Sequence, residues 1–309
     1  MLALVNTPNG PAPVELREVA EPSPARDEAV VAIHAFSLNR GELTLMRIRP
    51  EGWRPGQDVS GVVVRAAADG SGPKEGTRVV ALIDGAGWAE RAAASVHRVA
   101  PLPDGVSYAA AAALPVAGIT ALRTLRYGEP LIGRRVLVTG AAGGVGNLAV
   151  QLAARSGARV TAVVGRPGRG RNLAFLGAAE LVEGIDKADG RYALVLESAG
   201  GASLAEAIKR LEPRGTVVIF GNSSGEPTSI GFRDFGEHNN ARIQSFHSFT
   251  SGPEEQFAPD LGLLVGLVAD GSLKPQIGSE RSWRDLPQVA VELRERRVDG
   301  KAIFRVEQR

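Results

Sequence analysis

The tightest constraint on this chain is the run Val136-Leu-Val-Thr-Gly-Ala-Ala-Gly-Gly-Val-Gly146, followed by Asn147 to Ser156. It reads as a buried strand, a glycine-rich turn and an amphipathic helix. Val145, Leu148, Ala149, Leu152 and Ala153 fall at i, i+3, i+4, i+7 and i+8, and Gly157 supplies the terminal glycine. Such a unit holds a dinucleotide pyrophosphate, because glycines admit the phosphates to the backbone and the helix start offers free N–H groups and a partial positive charge. The main chain of Ala142, Gly143, Gly144 and Val145 is expected to face those phosphates. The fingerprint is a variant: Ala141 stands where GxGxxG has its first glycine, with Gly143 and Gly146 in the other two places. The triphosphate loop GxxxxGK[ST] does not fit. The alternative is an ordinary strand-to-helix turn that binds nothing.

In an NAD site, an acidic residue roughly 20 positions on accepts hydrogen bonds from the adenosine ribose. No Asp or Glu occurs here between Gly146 and Glu180. The second strand, Ala158–Val164, runs instead into Gly165-Arg166-Pro167-Gly168-Arg169-Gly170-Arg171. Guanidinium groups match phosphate in bidentate geometry, and a missing carboxylate removes repulsion of a 2′-phosphate. The expected cofactor is therefore NADP(H), with Gly165, Arg166 and Arg169 around the 2′-phosphate. A solvated basic loop is the competing reading.

The chain has 309 residues, enough for two domains, and no cysteine at all. That excludes disulfides, cysteine-type zinc sites, iron–sulfur clusters and thiol nucleophiles. The net charge of +2 is too small to argue for nucleic acid, and no apolar run approaches the roughly 20 residues that cross a bilayer. The opening Met1-Leu-Ala-Leu-Val-Asn-Thr-Pro lacks a basic region and a long apolar core, so no secretory signal is read and a cytoplasmic location is expected.

The first 110 or so residues are β-rich, with strands expected at Ala29–Phe36, Gly61–Ala66, Arg78–Leu82 and Val96–Ala100 between Pro, Gly and Asp punctuation. A helix is expected from Tyr108 to Ala113, interrupted by Pro115 and resumed over Gly118–Tyr127. From Arg135 the texture becomes strand–helix alternation. Six parallel strands are expected at Arg135–Thr139, Ala158–Val164, Glu180–Glu183, Tyr192–Glu197, Thr216–Phe220 and Ala241–Phe246, with helices at Val145–Arg155, Asn172–Leu176, Ser203–Leu211 and Glu254–Ala269. This describes a doubly wound α/β sheet, whose ligands sit beyond the carboxyl ends of the strands. A short return follows: a strand near Pro275–Ile277, a helix Leu286–Arg297 and a strand Ala302–Val306.

Taken together, Ser37-Leu-Asn-Arg-Gly-Glu42, Pro55-Gly-Gln-Asp-Val-Ser-Gly-Val-Val63, Gly87-Trp-Ala-Glu90, Leu114-Pro-Val-Ala-Gly-Ile-Thr-Ala-Leu122, Gly140–Gly146, Leu176-Gly-Ala178 and Gly300-Lys-Ala302 point to a family. With this domain order, the chain resembles the medium-chain dehydrogenase/reductase superfamily, and within it the zinc-independent quinone oxidoreductase branch. The resemblance covers nearly the whole length. It implies a β-rich GroES-like catalytic domain, residues 1–113 and 273–309, and a Rossmann NADP-binding domain with a six-stranded parallel sheet, residues 114–272.

The zinc branch of that superfamily carries a Cys and a Gly-His-Glu segment as ligands. Here Gly56-Gln57-Asp58 occupies that place, and neutral Gln is a poor zinc ligand beside His. Asp58 is expected to brace a turn, with substrate contact as the alternative. The resemblance puts Asn39 near nicotinamide and substrate, Thr120 on the nicotinamide half of the site, and Ser198, Phe220, Gly221, Phe246 and Ser248 at strand ends touching cofactor. Lys301 matches the family's Gly-Lys pattern and is grouped with the cofactor contacts. Asn39 as a turn residue and Thr120 as a helix-start residue are the plainer alternatives. The tyrosines that relatives often carry near the Asn39 loop are replaced by Leu43, Thr44 and Leu45. His34 and His97 are expected to be structural strand residues, and His247 could reach the nicotinamide.

The implied chemistry is hydride transfer from NADPH to a quinone or an α,β-unsaturated carbonyl, with no metal and a proton from water. Hydrogen bonds to the acceptor oxygen, from Asn39 or a backbone N–H, would stabilise the developing charge. The partner is thus a small electrophilic acceptor, with no nucleic acid or membrane, and a homodimer is expected through the edge strand Ala241–Phe246. Two alternatives stay open: a non-catalytic NADPH-binding sensor or RNA-binding module, and an enoyl reductase acting on a carrier-bound substrate.

Overall fold

The structure is a computed structural model describing residues 1–128, 130–248 and 255–307. In chain order its elements are β1 (Leu2–Asn6), β2 (Val14–Glu18), β3 (Glu28–Leu38), α1 (Arg40–Ile48), β4 (Asp58–Arg65), β5 (Arg78–Leu82), β6 (Arg91–Ser95), β7 (Val99–Pro101), α2 (Tyr108–Ala112) and α3 (Pro115–Leu125). There follow β8 (Arg135–Val138), α4 (Gly144–Arg155), β9 (Arg159–Val164), β10 (Ala178–Glu183), β11 (Tyr192–Glu197), α5 (Gly201–Lys209), β12 (Leu211–Ile219), β13 (Arg242–Ser245), α6 (Ala258–Ala269), β14 (Ile277–Ser282), α7 (Leu286–Arg294) and β15 (Lys301–Arg305). Two units result: Met1–Ile119 with Ser251–Arg309, and Thr120–Thr250.

The first unit is built on β3, an eleven-residue strand alternating into near-continuous burial. It lies between β15 and β4 in a sheet ordered β14-β15-β3-β4-β5-β7, and β6 also pairs with it. Both β15 and β4 run antiparallel to β3, with Ser37 opposite Asp58 and Leu38 opposite Ala302. The carboxyl end of β3 therefore sits beside the first residues of β4 and β15. Beneath it, Phe36 stacks on Trp88 at 5.6 Å and on Phe304 at 5.3 Å, and Trp88 Nε1 donates to the Ser37 carbonyl at 3.2 Å. Stacked aromatic rings contribute both buried apolar area and directional attraction. Helix α7 covers this core with Leu286, Val289, Ala290 and Leu293. Helix α6 belongs to this unit as well: the Phe257 N–H donates to the His97 carbonyl at 2.9 Å, Arg98 lies 5.3 Å over the Phe257 ring, and Leu264 fills the space beside Gly118.

The second unit is a six-stranded sheet, parallel at every pairing, ordered β10-β9-β8-β11-β12-β13. Renumbered from its own first strand this is 3-2-1-4-5-6, the doubly wound dinucleotide-binding order, with its switch point between β8 and β11. Valines and leucines of β8, β11 and β12 are buried on both faces, as a parallel sheet covered by helices requires.

Several expectations need correction. No helix forms over Asn172–Leu176. Residues 171–177 are turns, closed by Leu176 N–H to the Asn172 carbonyl at 3.1 Å and pinned by fully buried Leu173, because five residues offer too few bonds to offset helix nucleation. The strand expected over Val96–Ala100 starts only at Val99: the Ser95 hydroxyl accepts the His97 N–H and winds 96–98 into a 3-10 turn, leaving His97 exposed and outside the strand. Pro115 opens α3 instead of interrupting a helix, since the first helical position has no N–H to lose. Strands β1, β2 and β6 escaped the sequence reading; β6 is Arg-Ala-Ala-Ala-Ser, poor in strand formers, and is held by β3. The expected start of the last Rossmann-side helix at Glu254 lies outside the described residues.

Truncating Phe36 to alanine is expected to destabilise the protein by about 3–5 kcal/mol, since it empties the centre of the three-ring stack. Urea denaturation measures it, and a loss below about 1 kcal/mol would show that the neighbours collapse into the gap.

Candidate functional site

The residues expected to form a site gather in two clusters, one in each unit. In the second unit, β8 ends at Val138 and the chain turns through Thr139 to Gly143 into α4. The Gly143 N–H donates to the Gly140 carbonyl at 2.8 Å, and the first α-helical bond is Asn147 N–H to the Gly143 carbonyl at 2.9 Å. The N–H groups of Gly144, Val145 and Gly146 precede that bond, at the positive end of a twelve-residue helix. Gly146 is required by close approach: a Cβ there would lie 2.4 Å from the Gly140 carbonyl oxygen and 2.7 Å from the Ala141 Cα. Ala142 is buried, while Gly143, Gly144 and Val145 are half-buried.

The neighbouring strand ends close the cradle. The Ser198 N–H donates to Thr139 Oγ1 at 2.8 Å and its hydroxyl to the Thr139 carbonyl at 3.2 Å. A Cβ on Gly221 would sit 3.1 Å from the Ser198 carbonyl oxygen. Ser198 and Gly221 thus gather with the glycine turn at the ends of β8, β11 and β12. Phe220 is half-buried and its N–H donates to the Glu197 carbonyl; Phe246 is buried and donates to the Ile219 carbonyl; Ser248 is buried beyond β13. Gly165 and Arg166 are exposed after β9, with Arg169 half-buried. Thr120 is buried within α3, where its carbonyl accepts the Thr124 hydroxyl at 2.7 Å. The loop carries arginines and no acid where an NAD site would place a carboxylate.

Glu197 is the residue that sequence reasoning missed here. Fully buried at the end of β11, it accepts from Thr139 Oγ1, the Ala199 N–H, the Gly200 N–H and Ser203 Oγ at 2.8–3.2 Å. It thereby holds the turn after β11 and the start of α5 in place. An acid ending an apolar strand was the only signal for it.

In the first unit, the three strand ends at β3, β4 and β15 bring Asn39, Asp58 and Lys301 together. Asp58, fully buried, accepts on Oδ2 from Ser37 Oγ at 2.5 Å, Asn39 Nδ2 at 2.9 Å and Lys301 Nζ at 2.9 Å, and on Oδ1 from the Val116 N–H at 2.8 Å. That last bond also places a carboxylate at the N-terminus of α3. Lys301 Nζ donates to Asn39 Oδ1 at 2.6 Å. The lysine grouped with the cofactor contacts has its ammonium on Asn39 and Asp58. Asn39 precedes α1 as its N-cap, and its N–H donates to Glu42 Oε2 at 2.9 Å in a capping box, while its side chain also bonds Asp58 and Lys301.

Glu42 is the second missed residue, although Asn39-x-x-Glu42 has the spacing of a capping box. Its carboxyl is pushed up to about 8, first by burial and then by the Asp58 charge, against the opposing pull of the Asn39 N–H and Lys301. The Asn39 bond occupies Oε2; Oε1 has no hydrogen-bond partner. Gln57 is buried with an unpartnered Oε1, and among the described residues no group of three His, Asp or Glu side chains could hold a metal ion. His34 stacks on Tyr108 at 4.5 Å, Trp88 lies in the core, and Tyr192 is buried with its hydroxyl donating to Thr161 Oγ1 and the Asp189 carbonyl.

Known proteins resemble both units. Residues 25–115 match the family described as alcohol dehydrogenase GroES-like domain, and residues 144–265 the family described as zinc-binding dehydrogenase. The mouse (Mus musculus) protein named quinone oxidoreductase is 30% identical over 293 residues, covering 88% of this chain and 87% of the relative. The chloroplast envelope quinone oxidoreductase homolog of Arabidopsis thaliana is 38% identical over 193 residues, and this match spans 56% of the chain and 57% of that relative's length. The yhdH oxidoreductase from Salmonella enterica, solved in complex with NADP, has a TM-score of 0.82 at 25% identity, covering 99% of this chain and 100% of that one.

The raised Glu42 carboxyl makes a signed prediction. The folded protein binds that proton more tightly than the unfolded chain, so the stability it adds is complete below about pH 4.5 and is lost as pH rises toward about 8. Glu42→Gln keeps an acceptor for the Asn39 N–H without a titrating group. The melting temperature of the variant relative to wild type is expected to climb between pH 5 and pH 8 and level off above. Two melting curves that stay parallel across that range would refute the assignment.

Proposed function

The chain belongs to the quinone oxidoreductase-like branch of the medium-chain dehydrogenase/reductase superfamily, and from that membership we propose that it is an NADPH-dependent enzyme passing a hydride to a quinone or an α,β-unsaturated carbonyl without a metal. One observation carries the reading: the glycine turn opening α4 lies at the switch point of a 3-2-1-4-5-6 parallel sheet, with arginines and no acid on the loop after β9.

The residues present fit the cofactor. The cradle at Gly140–Gly146 leaves no room for a Cβ at Gly146, and main-chain N–H groups of 144–146 suit a pyrophosphate. Ala142, Gly143, Gly144 and Val145 would hold the pyrophosphate, with Ser198, Phe220, Gly221, Phe246 and Ser248 around the strand ends. Gly165, Arg166 and Arg169 would receive the 2′-phosphate, and Thr120 belongs to the nicotinamide end. When bound, NADPH supplies the hydride. The chain supplies orientation and exclusion of water, which is most of what so electrophilic an acceptor requires. Asn39 is the proposed contact with the reacting pair. The metal-free part of the proposal rests on residue types: there is no cysteine, and Gln57 stands where the zinc branch has a histidine.

The same proposal assigns the catalytic role to residues 1–113 and 273–309 and the cofactor role to 114–272, while by packing 114–119 and α6 lie with the first unit. It includes a homodimer formed along β13, an edge strand that among the described residues pairs with β12 alone and whose Arg242, Ile243 and Ser245 are exposed. A cytoplasmic location completes it, where a chain without cysteine forgoes nothing. Among the described residues no helix is long and apolar enough to cross a membrane.

Two measurements test the reading. Purified protein is expected to oxidise NADPH with 1,4-naphthoquinone, and nucleotide binding without turnover on any quinone or enone would overturn the enzyme assignment. Replacing Arg166 and Arg169 by alanine is expected to weaken NADPH by about 10- to 100-fold, the worth of one lost charge-assisted contact, while NADH is little changed. Equal losses for both nucleotides in a fluorescence titration would remove the arginines from the 2′-phosphate site.

A further inference from the structure

The cluster at the ends of β3, β4 and β15 fixes more than the position of Asn39. An ammonium has no lone pair, so the Asn39 atom facing Lys301 Nζ at 2.6 Å must be the carbonyl oxygen. A carboxylate only accepts, so the atom facing Asp58 Oδ2 at 2.9 Å must be the amide nitrogen. The usual ambiguity of an asparagine side chain is thus removed by chemistry on both sides. The second hydrogen of Nδ2 is directed at Glu42 Oε2, 3.4 Å away. Both donor hydrogens of Asn39 therefore point at carboxyl groups of its own unit. Whatever hydrogen-bonding capacity the side chain offers beyond these contacts is that of an acceptor, on Oδ1.

We propose that Lys301 is a positioning residue: with Asp58 it locks the Asn39 carboxamide in a single orientation, so that Asn39 meets its ligand as a hydrogen-bond acceptor and not as a donor. This rests on the functional reading for the identity of the reaction, and it revises one part of it. The donor to the acceptor oxygen expected from Asn39 has to come from another group. The local backbone supports the lock. Gly300 has φ +89°, and a Cβ there would lie 2.1 Å from the Gln276 carbonyl oxygen, so only glycine lets β15 begin where Lys301 reaches Asp58. The Lys301 N–H then donates to that same carbonyl at 2.8 Å. Lys301 is almost fully buried and Asp58 completely so, which leaves their attraction little screened by water.

The test uses the full-length protein with three substitutions: Lys301→Met, Lys301→Arg, and Lys301→Met combined with Asp58→Asn, which removes both buried charges and guards against misfolding. Two readouts are independent of each other. Hydrogen exchange of the Asn39 side-chain amide, identified in NMR spectra by its loss in Asn39→Ala, is expected to be slow in wild type. It should speed up about tenfold or more in both methionine variants, as a bonded, buried amide opens to water, with amides of the second unit unchanged. In NADPH oxidation with 1,4-naphthoquinone, the methionine variants are expected to lose about 10- to 100-fold in kcat, with the NADPH dissociation constant within about twofold of wild type. Lys301→Arg, keeping the charge, should recover part of kcat. Unchanged amide exchange in the folded double variant would overturn the proposal. So would a Lys301→Met protein whose kcat is intact but whose NADPH affinity falls tenfold, since Lys301 would then be a cofactor contact. If wild type oxidises no NADPH, the functional reading fails, and the exchange experiment still decides whether Lys301 holds Asn39.

Discussion

The Asp58 carboxylate is the point on which the first unit converges. It is fully buried and takes four donors from four different segments: Ser37 on β3, Asn39 ahead of α1, Val116 at the start of α3 and Lys301 at the start of β15. A buried carboxylate is tolerable only when its lone pairs are filled and a counter-charge stands close, and both conditions are met here. Removing any one donor leaves the others facing an under-satisfied charge. The antiparallel order β15-β3-β4 is what makes this meeting possible, because it sets the end of one strand beside the beginnings of its two neighbours.

Glu42 shows what such a centre does to its surroundings. A second carboxyl beside Asp58 cannot ionise at little cost in the same dry pocket, so it keeps its proton to about pH 8. Lys301, Asp58 and a neutral Glu42 sum to no net charge, and Asn39 is held in the middle by all three. In the second unit another buried acid plays the anchoring part: Glu197 ties Thr139, the turn after β11 and Ser203 together next to the glycine turn. In each unit, then, a buried carboxylate whose partners are all donors fixes the loops proposed to meet ligand.

Much of the second unit was legible in advance. The strand, the glycine turn and α4 are contiguous in sequence, and their pattern of apolar residues is local, so the six strands and their parallel order follow from short-range signals. The failures had local causes too. Asn172–Leu176 has helical composition but is too short to propagate, and the alanines of β6 carry little strand preference without β3 beside them. Pro115 has the chemistry of a helix breaker, but at the first helical position it acts as an initiator.

The sequence by itself determined that a dinucleotide-type strand–turn–helix is present, that arginines follow its second strand, and that no thiol chemistry exists. These are properties of adjacent residues or of composition. Only the tertiary structure decided that Lys301 lies on Asn39, 262 positions away, that Asp58 is the shared acceptor, and that Glu42 is buried beside it. No periodicity links residues from the two ends of a chain. What joins them is strand pairing in register, and the charges then settle which atom of Asn39 faces which neighbour.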